Sequence, residues 1–206
     1  MRFWDRAAPI YHWQLALERS ALNIALDLLD ANENERLLDV ATGTGELLQL
    51  LSRRARRPLD AVGVDLSAQM LSRARPLPAA WKLAQGDATA LPFPDEAFDV
   101  AAAAYVLHLL SDSALEQALA ELRRVLVPRG RLVTVTPAAP RSWLRSPYLA
   151  AVGTLERVVP AALGLRPLNP VAALRRAGFE PVRERYVGSG YPSLCVLARV
   201  AAQGRV

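Results

Sequence analysis

Three aspartates stand near the ends of short apolar runs in the sequence: Asp39, Asp65 and Asp87. Asp65 follows Gly45 by twenty residues, a spacing at which a carboxylate can accept hydrogen bonds from both hydroxyls of an adenosine ribose. Aspartate is also an ordinary turn residue, so each of the three alone favours a plain turn. Their joint placement instead predicts a binding site for an adenosine.

The neighbours of Asp87 and Asp65 extend this predicted site to the adenine base. Asp87 can accept a hydrogen bond from the adenine amino group, while the N–H of Ala88 donates to the ring. Leu66 would then pack against one face of the base. The sequence thus offers a partner for each part of an adenosine.

The stretch LLDVATGTGELLQL places Gly43 and Gly45 between two apolar runs. Without a Cβ, these glycines let backbone N–H groups and a helix N-terminus approach a ligand closely; a simple strand-to-helix turn is the alternative. The third glycine of the dinucleotide pattern GxGxxG is replaced by Leu48, and the negative Asp39 would repel a pyrophosphate. The loop therefore favours a cationic, amino-bearing ligand such as S-adenosylmethionine (SAM) over NAD.

Alternating apolar and amphipathic segments provide the elements that must position these residues. Apolar runs predict five strands, and helical spacing predicts helices between them and before the first. A capping box of Ser113 and Glu116 would begin the last of these helices. The predicted strands are 36–41, 60–65, 81–86, 98–104 and 130–136, and the helices are 14–31, 44–56, 67–75 and 112–126. This order is typical of a doubly wound α/β sheet with helices on both faces.

The end of the chain departs from this alternation. A helix over 168–177 precedes strands over 179–187 and 192–200, which the turn GSGYP joins as an antiparallel hairpin. We therefore predict one Rossmann-like domain over 1–206, with a seven-stranded, mostly parallel sheet. Residues 1–31 are expected to form a helical lid, and 137–166 a cap that covers the substrate.

Composition sets limits on the class of protein. The chain has 206 residues, a net charge of +5 and one cysteine, Cys195, which excludes an internal disulfide and a CxxC metal site. No apolar run is long enough to suggest a membrane span or a signal peptide, so we expect a cytoplasmic protein. The positive charge suggests an anionic partner only weakly, and no metal site is predicted.

Four segments in unbroken order resemble the class I SAM-dependent methyltransferases: LLDVATGTG, GVDLSAQML, GDATALPFPDEAFDV and RVLVPRGRLV, within residues 36–136. The opening FWDRAAPIY, Ala41 at the first glycine position and the AGF before the last hairpin are similar to the quinone-biosynthesis C-methyltransferases. The resemblance implies SAM as cofactor and S-adenosylhomocysteine (SAH) as its product. The implied cofactor-binding residues are Asp39, Ala41, Thr42, Gly43, Thr44, Gly45, Asp65, Leu66, Asp87, Ala88, Ala104 and Tyr105.

The sequence departs from the quinone-enzyme pattern in places that affect the acceptor. Arg129 stands where the family usually has a glycine, and Thr42 where it has glycine or cysteine. After the fourth strand, AYVLHL (104–109) replaces a segment like Ser-Phe-Gly-Leu-Arg-Asn, and this segment faces the acceptor in the family. The resemblance therefore implies the cofactor more firmly than a quinone acceptor.

Few side chains are suited to take part in the chemistry. Methyl transfer from a sulfonium is an in-line displacement that depends mainly on alignment. His108 could deprotonate a phenol or enol, and Tyr11, in the predicted lid, could face the sulfonium. Packing or helix capping is the alternative role for each, and more so for His12.

The leading hypothesis is a SAM-dependent methyltransferase for a small, hydrophobic acceptor that is quinone-, phenol- or lipid-like. The cap sequence, with Trp143 and Tyr148 among arginines, suits such an acceptor or a membrane surface, and equally a helix packed on the sheet edge. The AAAY after strand four argues against methylation of a flipped nucleobase. The alternatives are an amine or phospholipid N-methyltransferase, a phenol O-methyltransferase, an NAD oxidoreductase and a non-catalytic SAM-binding module. A monomer and a homodimer are both compatible with the sequence.

Overall fold

The computed structural model describes residues 17–139, 141 and 166–202. Within them, seven strands form one sheet in the order β3-β2-β1-β4-β5-β7-β6. Strands β1 to β5 pair in parallel, whereas β7 is antiparallel to both β5 and β6. The predicted doubly wound sheet with a closing antiparallel hairpin is confirmed.

The described elements follow the predicted order along the chain. The helices are α1 (17–29), α2 (Glu46–Ser52), α3 (Ala68–Leu71), α4 (Asp112–Val125) and α5 (Val171–Arg176), with a 3₁₀ turn at Leu107–Leu109. The strands are β1 (Arg36–Val40), β2 (Asp60–Asp65), β3 (Lys82–Gln85), β4 (Phe98–Ala104), β5 (Leu126–Pro137), β6 (Phe179–Val187) and β7 (Ser193–Val200).

The sheet is buried on both faces because most positions of its central strands are apolar. In β1, Leu37 and Leu38 point to opposite faces and join two separate apolar clusters. One cluster packs α4 and α5 against the sheet, and the other packs α1 and α2. Such continuous apolar runs are what a parallel sheet covered by helices requires.

Several element boundaries differ from the predictions. The α4 N-cap is Ser111, whose side chain accepts a hydrogen bond from the Ala114 N–H at 3.3 Å, so the predicted capping box at Ser113 is wrong. Both serines precede an apolar periodic segment, and only the backbone path decides which one has the extended conformation of a cap. Helices α2 and α3 end four residues before their predicted ends. Strand β5 begins four residues before its predicted start.

The turn between β6 and β7 packs against the start of α1. The N–H of Tyr191 donates to the Leu17 carbonyl at 3.2 Å. Gly190 has φ +76°, and a Cβ placed there would lie 2.3 Å from the Leu17 oxygen. Only glycine allows this approach, which brings the C-terminal hairpin and α1 to the same edge of the sheet.

Candidate functional site

The loop after β1 has left-handed backbone at every second residue. Ala41, Gly43 and Gly45 have φ values of +57°, +57° and +77°. Gly45 is the N-cap of α2 and donates its N–H to the Thr42 carbonyl at 2.8 Å. The glycines thus fold a tight turn, and Ala41 adopts a conformation that costs an L-residue about 1–2 kcal/mol.

Leu48 stands where dinucleotide-binding loops have a third glycine, and the structure explains how it fits. A Cβ built on Gly63 of β2 would lie 2.9 Å from Leu48 Cδ1 and 2.8 Å from Thr42 Oγ1. The close approach of helix and strand is therefore made possible by a glycine on the strand, while the helix carries the leucine.

Asp39 lies in β1 with its side chain turned away from water. It is 1% exposed, and its Oδ2 accepts a hydrogen bond of 2.6 Å from the Thr42 hydroxyl. Burial raises the pKa of Asp39 to about 7, and the negative charge of Asp65 contributes to the rise, while the Thr42 bond opposes it. A positive charge beside Asp39 would favour its ionised form.

Asp65, at the end of β2, joins the loops that follow β1 and β2. Its Oδ2 accepts from the Gly43 N–H and its Oδ1 from the Ser67 N–H, each at 2.8 Å. Each carboxylate oxygen has two lone-pair sites, so both can accept another donor. This arrangement fits a carboxylate that receives ribose hydroxyls.

Asp87, two residues after β3, forms a local turn. Its Oδ1 accepts from both the N–H and the hydroxyl of Thr89 at 2.8 Å, and these bonds lower the pKa of Asp87. Both bonds end on one oxygen, so the ionised carboxylate can accept a further donor through the other. This fits the role predicted for it toward an adenine amino group.

The segment after Asp87 is held by Arg124, in the last turn of α4. The Arg124 guanidinium donates to the carbonyls of Leu91 and Phe93 and to Asp95 Oδ1 at 2.8–3.1 Å. It also forms two bonds of 2.7 Å with Glu121, whose carboxylate accepts from the Leu91 N–H. This clamp fixes the β3–β4 loop, which continues from Asp87 and Ala88.

A cavity of about 380 Å³ opens at the carboxyl ends of these strands, where ligands bind in doubly wound sheets. Ten of the twelve predicted cofactor-binding residues line it: Asp39, Ala41, Thr42, Gly43, Asp65, Leu66, Asp87, Ala88, Ala104 and Tyr105. Among the described residues, Thr44 and Gly45 lie outside this lining. Gly45 shapes the loop, as its bond to Thr42 indicates.

Of the side chains predicted to take part in the chemistry, the structure describes His108 but not Tyr11. His108 is buried in the 3₁₀ turn after β4 and lines the cavity. Tyr11 and His12 lie outside the described residues, as do Trp143 and Tyr148. Cys195 is buried in β7, where its Sγ lies 3.4 Å from the Ala21 carbonyl. Burial raises the pKa of the Cys195 thiol to about 12, which makes it a poor nucleophile.

Among the lining residues with charged or aromatic side chains, three escaped the sequence analysis: Glu18, Glu46 and Tyr191. Glu18 is 4% exposed and interrupts the buried face of α1, which continues with Leu22. A charge on an apolar helical stripe is a signal that could have identified it. Tyr191 offered no such signal, because only the docking of the hairpin turn brings it to the cavity.

The charges around the cavity have one sign. Five carboxylates line it: Glu18, Asp39, Glu46, Asp65 and Asp87. Among the described residues, no lysine or arginine does; Arg19, outside the lining, pairs with Glu46 at 2.9 Å. Such a cavity attracts a ligand with positive groups and repels a pyrophosphate. These hydrogen-bond acceptors therefore fit SAM, whose sulfonium and ammonium are cationic, and do not fit NAD.

Comparison with known proteins agrees with this geometry. Residues 37–130 match a family model described as a methyltransferase domain. The chain is 34% identical over 173 residues to a 2-phytyl-1,4-naphtoquinone methyltransferase of Synechococcus elongatus, covering 77% of this chain and 72% of that protein. It is 40% identical over 146 residues to a demethylmenaquinone methyltransferase of Thermus thermophilus, covering 68% of this chain and 64% of the relative. This chain thus spans slightly less than two thirds of the Thermus protein's length.

Solved structures share the fold. A SAM-dependent methyltransferase from Aquifex aeolicus superimposes with a TM-score of 0.66 at 20% identity, over 87% of this chain and 89% of that one. At this identity the likeness concerns the fold alone. The shared architecture agrees with the doubly wound α/β fold.

Proposed function

The chain belongs to the class I SAM-dependent methyltransferases, and we propose that it transfers a methyl group from SAM to a small, hydrophobic acceptor of the quinone, phenol or lipid type. The observation that carries this proposal is the acidic cavity at the ends of β1, β2 and β4. SAM, when bound, supplies a methyl group on a positively charged sulfur, which makes the methyl carbon electrophilic.

The residues around the cavity would act mainly by binding and alignment. Asp65 and Asp87 would hold the ribose and the adenine, and Asp39 with Gly43 would lie beside the methionine portion. Alignment of donor and acceptor can lower a barrier by ~7–11 kcal/mol, more than a single general base supplies. His108, buried in the cavity wall, is our candidate for taking a proton from the acceptor.

The acceptor class is supported by the apolar part of the cavity lining and by the relatives. Leu22, Val106, Leu109 and Leu110 belong to this lining. The two relatives are named for naphthoquinone-type and menaquinone-type substrates. We extend that class to this chain as a proposal, since AYVLHL (104–109) differs from the quinone-enzyme pattern.

Calorimetric titration with SAH tests the cofactor assignment. We expect saturable binding by the wild-type protein and a loss of at least about 10-fold in affinity for Asp65→Ala, since charge-assisted hydrogen bonds contribute roughly 1.5–3 kcal/mol. Asp60→Ala is the matched control, because Asp60 is exposed at the opposite end of the same strand. NAD should neither bind nor raise the melting temperature. A wild-type protein that binds NAD in preference to SAH would refute the proposal.

The acceptor is tested by turnover. The protein is incubated with SAM and lipid or phenolic extracts, and the products are examined by mass spectrometry for a mass increase of one methyl group. A methylated quinol or phenol would support the leading proposal, whereas a methylated amine or phospholipid headgroup would favour an N-methyltransferase. SAH binding without turnover on any extract would indicate a non-catalytic SAM-binding module.

The lid and the cap belong to the same proposal. We propose that 1–31 closes over the cofactor and that 137–166 covers the acceptor; of these segments, 1–16, 140 and 142–165 lie outside the described residues. A cap of this composition would allow peripheral contact with a membrane. In the described part of the chain, no helix has the length and apolar character needed to cross a bilayer.

A further inference from the structure

Three segments that are distant in sequence meet at the part of the cavity beside the end of β4. Helix α1 contributes Glu18 and Leu22, the residues after β4 contribute Tyr105, and the β6–β7 turn contributes Tyr191. Asp65 and Asp87 lie at the ends of β2 and β3, away from β4 and the hairpin. The end with the two tyrosines is therefore the part of the cavity that remains for the acceptor, and Tyr105, predicted to bind the cofactor, lies at this end instead.

Hydrogen bonds fix the hydroxyl of Tyr105. Its oxygen lies 2.7 Å from Ser193 Oγ, which donates its own proton to the Tyr191 carbonyl at 2.8 Å. Because Ser193 has a single hydroxyl proton, Tyr105 must be the donor in the first bond. The Tyr105 N–H also donates to the Val135 carbonyl at 2.8 Å. Tyr105 is thus held both through its backbone and through its hydroxyl.

Tyr191 is held against Tyr105 by its own backbone. Its N–H bonds to Leu17 of α1, and its carbonyl accepts from Ser193. The ring centroids of Tyr105 and Tyr191 are 5.9 Å apart, and their planes are inclined by 44°. The two rings form a corner in the cavity wall.

We propose that Tyr105 and Tyr191 form an aromatic wall that contacts the planar ring of the acceptor, and that Tyr191 is a specificity-determining residue of the site. The inference rests on the proposed function and narrows it from any hydrophobic acceptor to one with an aromatic or quinoid ring. Aromatic rings pack best in offset or edge-to-face geometry at centroid distances of about 4.5–7 Å. A corner of two rings offers a third ring both kinds of contact.

The two rings lie apart from Asp65 and Asp87, although not from every carboxylate: burial, and after it the negative charge of Glu18, raises the pKa of the Tyr105 hydroxyl. The cationic cofactor is matched by Asp39 and its neighbours, whereas Tyr105 and Tyr191 are accompanied by Leu109 and Leu110. An aliphatic chain would gain only burial from the tyrosines, which leucines would provide as well. A planar ring gains the aromatic contact in addition.

The test measures binding of 2-naphthol to the full chain saturated with SAH. Tyr191→Leu should weaken naphthol binding about 3- to 10-fold, the loss expected for one aromatic pair. Tyr191→Phe, which keeps the ring, should stay within about 2-fold of wild type. The affinity for 1-octanol, which has no ring, should be the same in all three proteins.

Two controls distinguish a direct contact between Tyr191 and the ligand from a general effect of the substitution on folding. Tyr186→Leu removes a β6 tyrosine whose ring is covered by Arg141 and which is not among the cavity's lining residues; it should leave naphthol binding unchanged. In the wild-type protein, intermolecular nuclear Overhauser effects between naphthol protons and the Tyr191 ring should be observed. This second measurement does not depend on the folding of any variant.

The possible results are distinct. Equal losses for naphthol and octanol, a loss in Tyr191→Phe as large as in Tyr191→Leu, or the absence of those Overhauser effects would overturn the aromatic wall. A change in the SAM-to-SAH affinity ratio of Tyr191→Leu would assign the ring to the sulfonium and also overturn it. Failure of the wild-type protein to bind SAH would instead overturn the proposed function.

Discussion

At the scale of single residues, two non-glycine positions have left-handed backbone. Ala41 begins the loop after β1 with φ +57°, and Arg129 lies in β5 with φ +64°. In the sequence, Ala41 was a point of similarity to the quinone enzymes and Arg129 a departure from them. Left-handed backbone is unfavourable for both residue types, so the fold carries strain at both positions.

Replacing Ala41 by glycine should relieve this strain. Relief of about 1–2 kcal/mol outweighs the roughly 0.5–1 kcal/mol that glycine costs through unfolded-state entropy, so the free energy of unfolding should rise by up to about 1 kcal/mol. Urea denaturation measures this. Ala101 lies at a buried position of β4 with ordinary φ. Ala101→Gly should therefore lower the free energy of unfolding by about 1 kcal/mol. Equal losses in both variants would contradict the argument.

Asp39 is the residue whose charge depends most on what the cavity contains. Its raised pKa means that the folded protein binds this proton more tightly than the unfolded chain does. Its contribution to the free energy of unfolding therefore falls as pH rises from near 3.8, the ordinary value, to about 7, the folded value. A cationic ligand reverses part of this cost by stabilising the carboxylate.

The affinity for SAM should therefore depend on pH in a way that the affinity for SAH does not. We expect the ratio of SAM to SAH affinity to increase roughly 10-fold as pH rises through about 7, because SAH lacks the charged sulfur. The use of a ratio cancels the titration of the amino group that both ligands carry. In Asp39→Asn the ratio should be independent of pH, whereas Asp60→Asn should behave as wild type. Calorimetry between about pH 5.5 and 8.5 measures both, and a flat ratio in wild type would refute the prediction.

At the scale of elements, Arg124 connects helix α4 to the loop that carries the adenine end of the site. Hydrogen bonds to Glu121 lower the pKa of that carboxyl. The clamp's contribution to stability is thus present above the ordinary carboxyl pKa and is lost as pH falls through the lowered one. Most ion pairs on the surface, such as Arg56 with Asp30, lack this set of backbone partners.

Removing the clamp should affect both stability and cofactor binding. Arg124→Ala should lower the free energy of unfolding by about 1–3 kcal/mol, because it leaves Glu121 and two carbonyls without their partner. It should also weaken SAH binding, since the loop beyond Asp87 loses its anchor. Arg56→Ala should change stability by less than about 0.5 kcal/mol. Denaturation and calorimetry of the two variants make the comparison, and equal effects would show that Arg124 is only another surface arginine.

At the scale of the whole molecule, the topology decides which residues share the cavity. Strands β1 to β5 are parallel, so the loops after β1, β2, β3 and β4 meet at one edge of the sheet. The antiparallel β6–β7 hairpin turns back to the same edge and places Tyr191 beside Tyr105. Helix α1 then closes the site with Glu18. Five acids and two tyrosines thus share one cavity, although the chain order keeps their segments apart.

The sequence alone was sufficient for the sheet, the cofactor loop and the three aspartates. Apolar runs, glycines and strand-end acids are local signals, since each reflects the backbone conformation or burial of its own segment. Ten of the predicted cofactor residues line the cavity for this reason. The sequence pattern could not decide between Ser111 and Ser113 as the α4 N-cap, because the choice depends on which of the two residues has extended backbone.

Only the tertiary structure decided which residues meet beside the end of β4. Glu18 and Tyr191, which the sequence analysis missed, come from a helix and a hairpin turn, and no spacing in the sequence relates them to Tyr105. Their meeting depends on long-range contacts, such as the bond from Tyr191 to Leu17 and the space left by Gly190. Side-chain surroundings arise from packing between distant elements, whereas strand and loop identity arises within a segment. The residues at the strand ends were therefore readable from the sequence, and the pairing of Tyr105 with Tyr191 was not.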